Sequence, residues 1–269
     1  MPSSINHRRE GAGPALVLLH GVGQSWHTWR PVLGSLVHRF DVIACDTPGF
    51  GGSPPLPAGT RPTVGACTEA FRGLFDELGL DRPHVAGISM GGAIALELAR
   101  AGAVSSACAI SPAGFWTDRE RRFCQLSLRL VADTPAIARP LVRRLARTRA
   151  GRTVLFAQLF GWPARMPSAD AMTALEVAWS APSFVAALDA FDGYAFGAGE
   201  ELRAVPVTVA WGVRDHLLIY SRQAPRARAL LPWAHHVALG GGHIPCFDDP
   251  AAVAEVVRRS TRAAAGVRQ

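Results

Sequence analysis

The chain contains no lysine. All 28 of its basic side chains other than histidine are arginine, against 21 acids, for a net charge of +7. Such a balance suits nucleic-acid binding, yet no nucleic-acid-binding motif accompanies it, and the arginines do not alternate with aromatics as a base-stacking surface requires. A compositional bias toward arginine and alanine accounts for it, and no nucleic-acid partner is expected. Long apolar runs are missing too. None approaches the roughly 20 residues that span a bilayer, and the first ten residues hold no apolar segment of the signal-peptide kind. A soluble, cytoplasmic protein that avoids the membrane is expected. Cysteine is scarce, odd in number and scattered, at Cys45, Cys67, Cys108, Cys124 and Cys246. No pair has zinc-site or redox-motif spacing, so reduced and mostly buried thiols are expected, without metal or disulfide framework. Internal repeats and low-complexity segments are absent as well.

What remains is a globular composition, 49% hydrophobic over 269 residues, long enough to bury a large core. Ala15–Leu19 and Asp41–Cys45 are continuous apolar runs of the kind that form strands buried on both faces of a parallel sheet. The residues 84–88, 104–110, 206–211 and 236–239 read as further strands, and one more short strand fits around residues 5–9. Helical spacing covers 31–39, 63–78, 91–100, 223–230 and 251–262, each between strands or at the end. Alternation of this kind predicts a doubly wound, mostly parallel α/β sheet. It fails between about Thr117 and Glu200, where helical patterns are punctuated by Pro135, Pro140, Pro163, Pro167 and Pro182. We expect residues 1–116 and 201–269 to form the core, with 117–200 inserted as a helical cap over the carboxyl edge of the sheet.

The sharpest motif is Gly87-Ile88-Ser89-Met90-Gly91-Gly92, a G-x-S-x-G pattern between a strand and a helix. A strand turning that tightly into a helix holds its serine at strained backbone angles with the hydroxyl exposed. Gly87 and Gly91 fit because a Cβ there would strike the opposite limb of the turn. A serine hydroxyl needs a base and an orienting acid. Of the nine histidines, His243 follows the last predicted strand through three glycines and reaches the same sheet edge. His216, His235, His236 and His84 are less well placed, and His7, His27 and His38 read as surface or packing residues. Asp215, just after the strand 206–211, is the candidate acid; the rival Asp118 sits in the insertion. The chain order Ser89, Asp215, His243 is the one a nucleophile elbow on this architecture requires. For an oxyanion, the candidate donors are the amides of Met90, at a helix amino terminus, and Val22, in the loop after Leu19. His20 is expected to brace that loop.

These pieces, with Asp46-Thr47-Pro48-Gly49-Phe50-Gly51-Gly52-Ser53, resemble the α/β-hydrolase superfamily. Within it the chain is similar to the small capped esterases, lactonases and cofactor-independent haloperoxidases. The resemblance implies an α/β-hydrolase fold with the cap after the sixth strand, no metal, no cofactor, and a structural role for Asp46. Only about fifteen residues precede Ala15, so the family's first strand is expected to be missing. Serine at 89 excludes the branches that use an aspartate nucleophile, such as haloalkane dehalogenases and epoxide hydrolases. Ile88 stands where carbon–carbon hydrolases usually have asparagine.

The expected activity is hydrolysis of a carboxylic ester or lactone of a mainly hydrophobic small molecule through an acyl-enzyme on Ser89. Other readings are a thioesterase, cyclase or acyl-transfer enzyme, a carbon–carbon hydrolase, or a low-turnover ligand receptor. Candidate pocket residues are Trp26, Phe115, Trp116, Trp162, Met166, Trp179 and Phe184, an aromatic set suited to an apolar group. Arg139, Arg143, Arg144, Arg147, Arg149 and Arg152 form an acid-free run. It reads as a solvated helix face, or as a docking patch for an acidic partner such as an acyl carrier protein.

Overall fold

The computed structural model describes residues 5–197 and 199–266. Seven strands form one sheet: β1 (His7–Glu10), β2 (Ala15–Leu19), β3 (Asp41–Cys45), β4 (His84–Ile88), β5 (Ser106–Ile110), β6 (Val207–Gly212) and β7 (His235–Leu239), in the order β1-β3-β2-β4-β5-β6-β7. All neighbours are parallel except β1, which pairs antiparallel with β3, His7 opposite Cys45 and Glu10 opposite Val42. Among the described residues no strand precedes β1. The sheet is the doubly wound one expected.

Alternation along the strands builds two cores. Val17 and Leu19 join one apolar cluster, with α2 (Val64–Glu77) and α3 (Met90–Arg100); Leu16 and Leu18 join the other, with α1 (Arg30–Leu36) and the terminal helix α10 (Pro250–Gly266). Burial on both faces is why β2 to β5 read as apolar runs rather than as alternating strands. β1, at the edge and antiparallel, is the exception, and exposes Arg8 and Arg9. α2 begins at Thr63, whose hydroxyl accepts from the Ala66 amide at 3.1 Å, filling one of the orphan donors of the first turn. The chain reverses direction of winding between β2 and β4, so their carboxyl ends open a crevice, the usual ligand position in such sheets.

Between β5 and β6 the described residues form five α-helices: α4 (Asp118–Ala132), α5 (Arg139–Ala146), α6 (Arg149–Leu155), α7 (Ser168–Ser180) and α8 (Phe184–Ala190). They follow β5, the sixth strand of the expected fold if a strand not found among the described residues is counted before β1. α4 starts with a reciprocal capping box, Thr117 with Glu120. Buried Arg152 donates to the carbonyls of Ala146 and Arg147 at 3.1 and 3.0 Å, closing the end of α5. α9 (Tyr220–Leu230) returns the chain to the first core face. Among the described residues, no single helix is long and apolar enough to cross a membrane. All five cysteines are buried and free.

A tight backbone constraint at the elbow is Gly87, where a Cβ would overlap the Gly91 carbonyl. Gly87→Ala is expected to cost about 2–3 kcal/mol of stability, the upper range for overpacking. Urea unfolding followed by circular dichroism measures it; an unchanged midpoint would show that the turn relaxes freely.

Candidate active site

Ser89 follows β4 with φ +57° and ψ −117°, a positive-φ conformation that a residue with a Cβ rarely adopts. Backbone bonds hold it there. Its amide donates to the Ile110 carbonyl at 2.9 Å, and its carbonyl accepts from Ala113 at 3.1 Å and from Ala93 at 3.0 Å. Gly87 meets the opposite limb of the turn, as expected, whereas Gly91 faces a different neighbour. A Cβ on Gly91 would lie 2.5 Å from the Leu19 carbonyl and 2.7 Å from that of His20, so this glycine lets α3 approach the end of β2.

His243 and Asp215 come together at the ends of β7 and β6. His243 Nδ1 lies 2.8 Å from Asp215 Oδ2, which also accepts from Trp211 Nε1 at 3.1 Å. Asp215 Oδ1 accepts from the amides of Leu217 and Leu218 at 2.9 and 2.8 Å. A carboxylate so supplied with donors is fixed in place and acts as acceptor toward the imidazole. That assigns the ring proton to Nδ1 and leaves Nε2 with its lone pair. Nε2 is buried and has no hydrogen-bond partner among the described residues. Ser89 and His243 line the same cavity. The rival acid, Asp118, lies at the start of α4, highly exposed and paired with Arg121.

The loop after β2 packs directly on the serine: a Cβ on Gly21 would lie 3.0 Å from Ser89 Cβ. Among the described residues, the amides of Val22 and Met90 donate no hydrogen bond. His20 braces this loop. Its Nδ1 lies 2.7 Å from the Gly21 carbonyl and its Nε2 accepts from the Thr47 amide at 2.9 Å, which fixes it as the neutral Nδ1–H tautomer. Burial depresses its pKa, against a weaker opposing pull from Asp46. Asp46 itself accepts from Trp26 N and Asn6 Nδ2, both at 2.7 Å, and from Gly52 N at 2.8 Å, so its carboxylate organises a turn.

Above the serine is a cavity of about 240 Å³, walled chiefly by apolar side chains. Of the seven aromatic and methionine candidates, Met166 and Phe184 line it. The other five lie elsewhere, each with its own partner. Trp26 stacks on His27 with Arg8 over its ring. Phe115 packs between Phe196 and Trp211 in the core. Trp116 packs on Phe191 and donates to the Tyr194 carbonyl at 2.9 Å. Trp162 sits between Arg165 and Arg214, and Trp179 between Arg139 and Arg143. Their sites are taken by aliphatic and phenylalanine side chains of the inserted segment, notably Leu128, Val131, Phe156, Leu159 and Leu175. The spacing of Leu128 with Val131, and of Phe156 with Leu159 and Phe160, marks apolar faces in the sequence but does not tell a cavity wall from core. His27 and Asp170 are polar groups in the wall. Asp170 pairs with Arg30 through Oδ1, while its buried Oδ2 has no partner among the described residues.

Asp248 is a further residue that sequence reasoning missed. Its Oδ2 accepts from the amides of Gly161 and Gly242, both at 2.8 Å, and its Oδ1 from Trp162 N at 2.9 Å. One carboxylate thus ties the loop carrying His243 to the inserted helices. Among the described residues no group of three or more His, Cys, Asp or Glu side chains is placed to hold a metal ion.

A doubly wound sheet with a serine on a strained strand-to-helix turn defines a hydrolase scaffold. Residues 16–256 match the model of the alpha/beta hydrolase family, and the chain belongs to that family. It is 29% identical over 278 residues to the uncharacterized protein Rv2715 of Mycobacterium tuberculosis strain H37Rv, covering 94% of this chain and 76% of that protein. Among solved structures it is similar to a bacterial membrane phospholipase A (TM-score 0.77, 26% identity, 97% of this chain and 83% of that one). The enol-lactonase of Burkholderia xenovorans LB400 shares the fold (TM-score 0.76, 21% identity, 95% of each chain).

The neutral, buried His20 makes a pH prediction. Its folded pKa lies below the ordinary 6.5, so the unfolded chain takes up the proton first. Stability is therefore complete above pH 6.5 and falls below it, by up to about 1.4 kcal/mol per pH unit from this residue. Urea midpoints between neutral and mildly acidic pH should fall less steeply for His20→Asn than for the parent; parallel profiles would count against a neutral His20.

Proposed function

We propose that the protein is a serine hydrolase that cleaves an ester-type bond of a substrate with an apolar acyl group. Ser89 Oγ attacks the carbonyl carbon while His243 Nε2 takes the hydroxyl proton, and Asp215 holds the resulting imidazolium. The oxyanion is received by the Val22 and Met90 amides, two donors preorganised in a water-poor site and worth roughly 3–4 kcal/mol each if lost. Collapse of the tetrahedral adduct expels the alcohol, which takes the proton from His243. Water then repeats the sequence on the acyl-enzyme, releasing a carboxylate and restoring Ser89. No cofactor or metal enters these steps, and residues 117–200 serve as the cap that bounds the acyl site.

One observation carries the reading: the unpartnered Nε2 of His243, its Nδ1 held by Asp215, in the same cavity as Ser89. A ring so arranged has one nitrogen to offer, and the hydroxyl that can use it sits on the elbow. The apolar walls from α4, α6 and α7 favour an alkyl or aryl acyl group over a polar one. The likeness to a phospholipase A, at 26% identity, agrees with an acyl ester.

A series of p-nitrophenyl esters tests it. KM should fall as the acyl chain lengthens from acetate, until the cavity is filled. Ser89→Ala and His243→Ala should each lower kcat by at least about 10³-fold, and Asp215→Asn by a similar factor. A fluorophosphonate should add one covalent mass to the parent enzyme and none to Ser89→Ala. Undiminished turnover by Ser89→Ala would discard the mechanism.

A further inference from the structure

Eight large hydrophobic side chains are exposed among the described residues, and seven of them fall between Phe123 and Val154, in α4, α5, α6 and their connections. Single apolar residues on a surface are ordinary, but a concentration of this kind marks an interaction face. Leu126 (65% exposed), Leu130 (78%), Ile137 (92%) and Val154 (78%) stand well clear of the core. Leu130 has a second property: it also lines the cavity above Ser89, as do Val142 and Leu155. Exposed Leu141 and Leu145 flank Val142 in α5, and exposed Val154 precedes Leu155. The cavity mouth therefore opens within the apolar face.

The same segment carries the arginine run, and the structure divides it. Arg152 is buried against backbone carbonyls, Arg143 pairs with Glu176, and Arg139 lies over Trp179. Arg144, Arg147 and Arg149 are exposed and have no carboxylate partner among the described residues. Apolar side chains interleaved with unpaired arginines combine the two attractions that hold a peripheral protein on an anionic bilayer. A second copy of this chain would set unpaired arginines against arginines. An acidic carrier protein would answer the arginines and leave the exposure of Ile137 and Leu126 without a purpose.

We propose that α4, α5 and α6 dock on an anionic lipid surface, and that the acyl chain of a membrane-borne ester passes from the bilayer by Leu130 into the cavity. The substrate half rests on the serine hydrolase reading; the docking half stands without it. The chain would then draw its substrate from the bilayer, sparing a long acyl chain the passage through water.

Sedimentation of the full chain with vesicles of phosphatidylcholine, alone or mixed with phosphatidylglycerol, tests docking. Binding should be at least about tenfold tighter to the anionic vesicles and weaken as salt is raised. Two double variants separate the contributions, Leu126→Ser with Ile137→Ser, and Arg144→Glu with Arg147→Glu. Each should weaken vesicle binding about tenfold or more while keeping turnover of a short, water-soluble p-nitrophenyl ester, which also reports intact folding. Hydrolysis of a long-chain ester carried in the vesicles should fall with binding. Failure to bind anionic vesicles, or binding equal in parent and variants, would overturn the proposal. So would a charge-reversed variant impaired only on a carrier-protein thioester, which would give the face to an acidic protein. Vesicle binding without turnover of any ester would keep the docking and remove the hydrolase reading instead.

Discussion

Ser89 stands at a positive φ because the turn around it leaves its backbone no lower-energy choice. The β4–β5 pairing carries its amide to Ile110, and α3 and the chain after β5 claim its carbonyl through Ala93 and Ala113. A conformation of this kind costs of order 1–3 kcal/mol and persists only where its surroundings over-determine it. Most of the site follows from that one residue. The turn points the first amides of α3 at the crevice. The closeness of Gly21 to Ser89 Cβ sets the Val22 loop beside the hydroxyl. Strain in the elbow thus positions both the Ser89 hydroxyl and the amides around it.

A second organising idea is that carboxylates here do structural work by collecting backbone amides. Asp46 joins Trp26, from the segment after β2, to Gly52 in the turn after β3; Asp215 gathers Leu217 and Leu218 behind the imidazole; Asp248 gathers Gly161, Trp162 and Gly242. An anion accepting several N–H bonds is a strong, short-range fastener even where water is scarce. Asp248 is the one whose reach crosses between layers, joining the loop of His243 to the inserted helices. Gly161 and Trp162 of the insertion and the loop of His243 are thus held by the same carboxylate.

Much of this was readable from residue order. The runs at 15–19, 41–45 and 84–88 are buried on both faces, and such strands announce themselves without alternation. The elbow was readable because tight turns restrict residue type so severely. The cavity wall was not legible. Tryptophan was expected to face the ligand because it is large and apolar, but Trp162 and Trp179 each lie between two arginines and Phe115 belongs to the core. Which face of an inserted helix turns inward depends on its neighbours across space, and spacing within one helix cannot supply that. Asp248 escaped for a related reason: a carboxylate closing the turn that begins at Pro245 resembles any surface acid until the amides it collects are known.

The buried thiols have a consequence for how this molecule opens. Burial pushes Cys67, Cys108 and Cys124 up to about 12, and raises Cys45 and Cys246 further, so the native state offers almost no thiolate to an electrophile. Modification must then wait for a breathing event that exposes the sulfur. Cys124 belongs to the helices inserted after β5, whereas Cys45 and Cys108 lie in central strands and Cys67 in α2. The five sulfurs act as clocks set in separate layers. Their relative labelling rates would tell whether the roof over Ser89 loosens by itself or only when the sheet beneath it gives way.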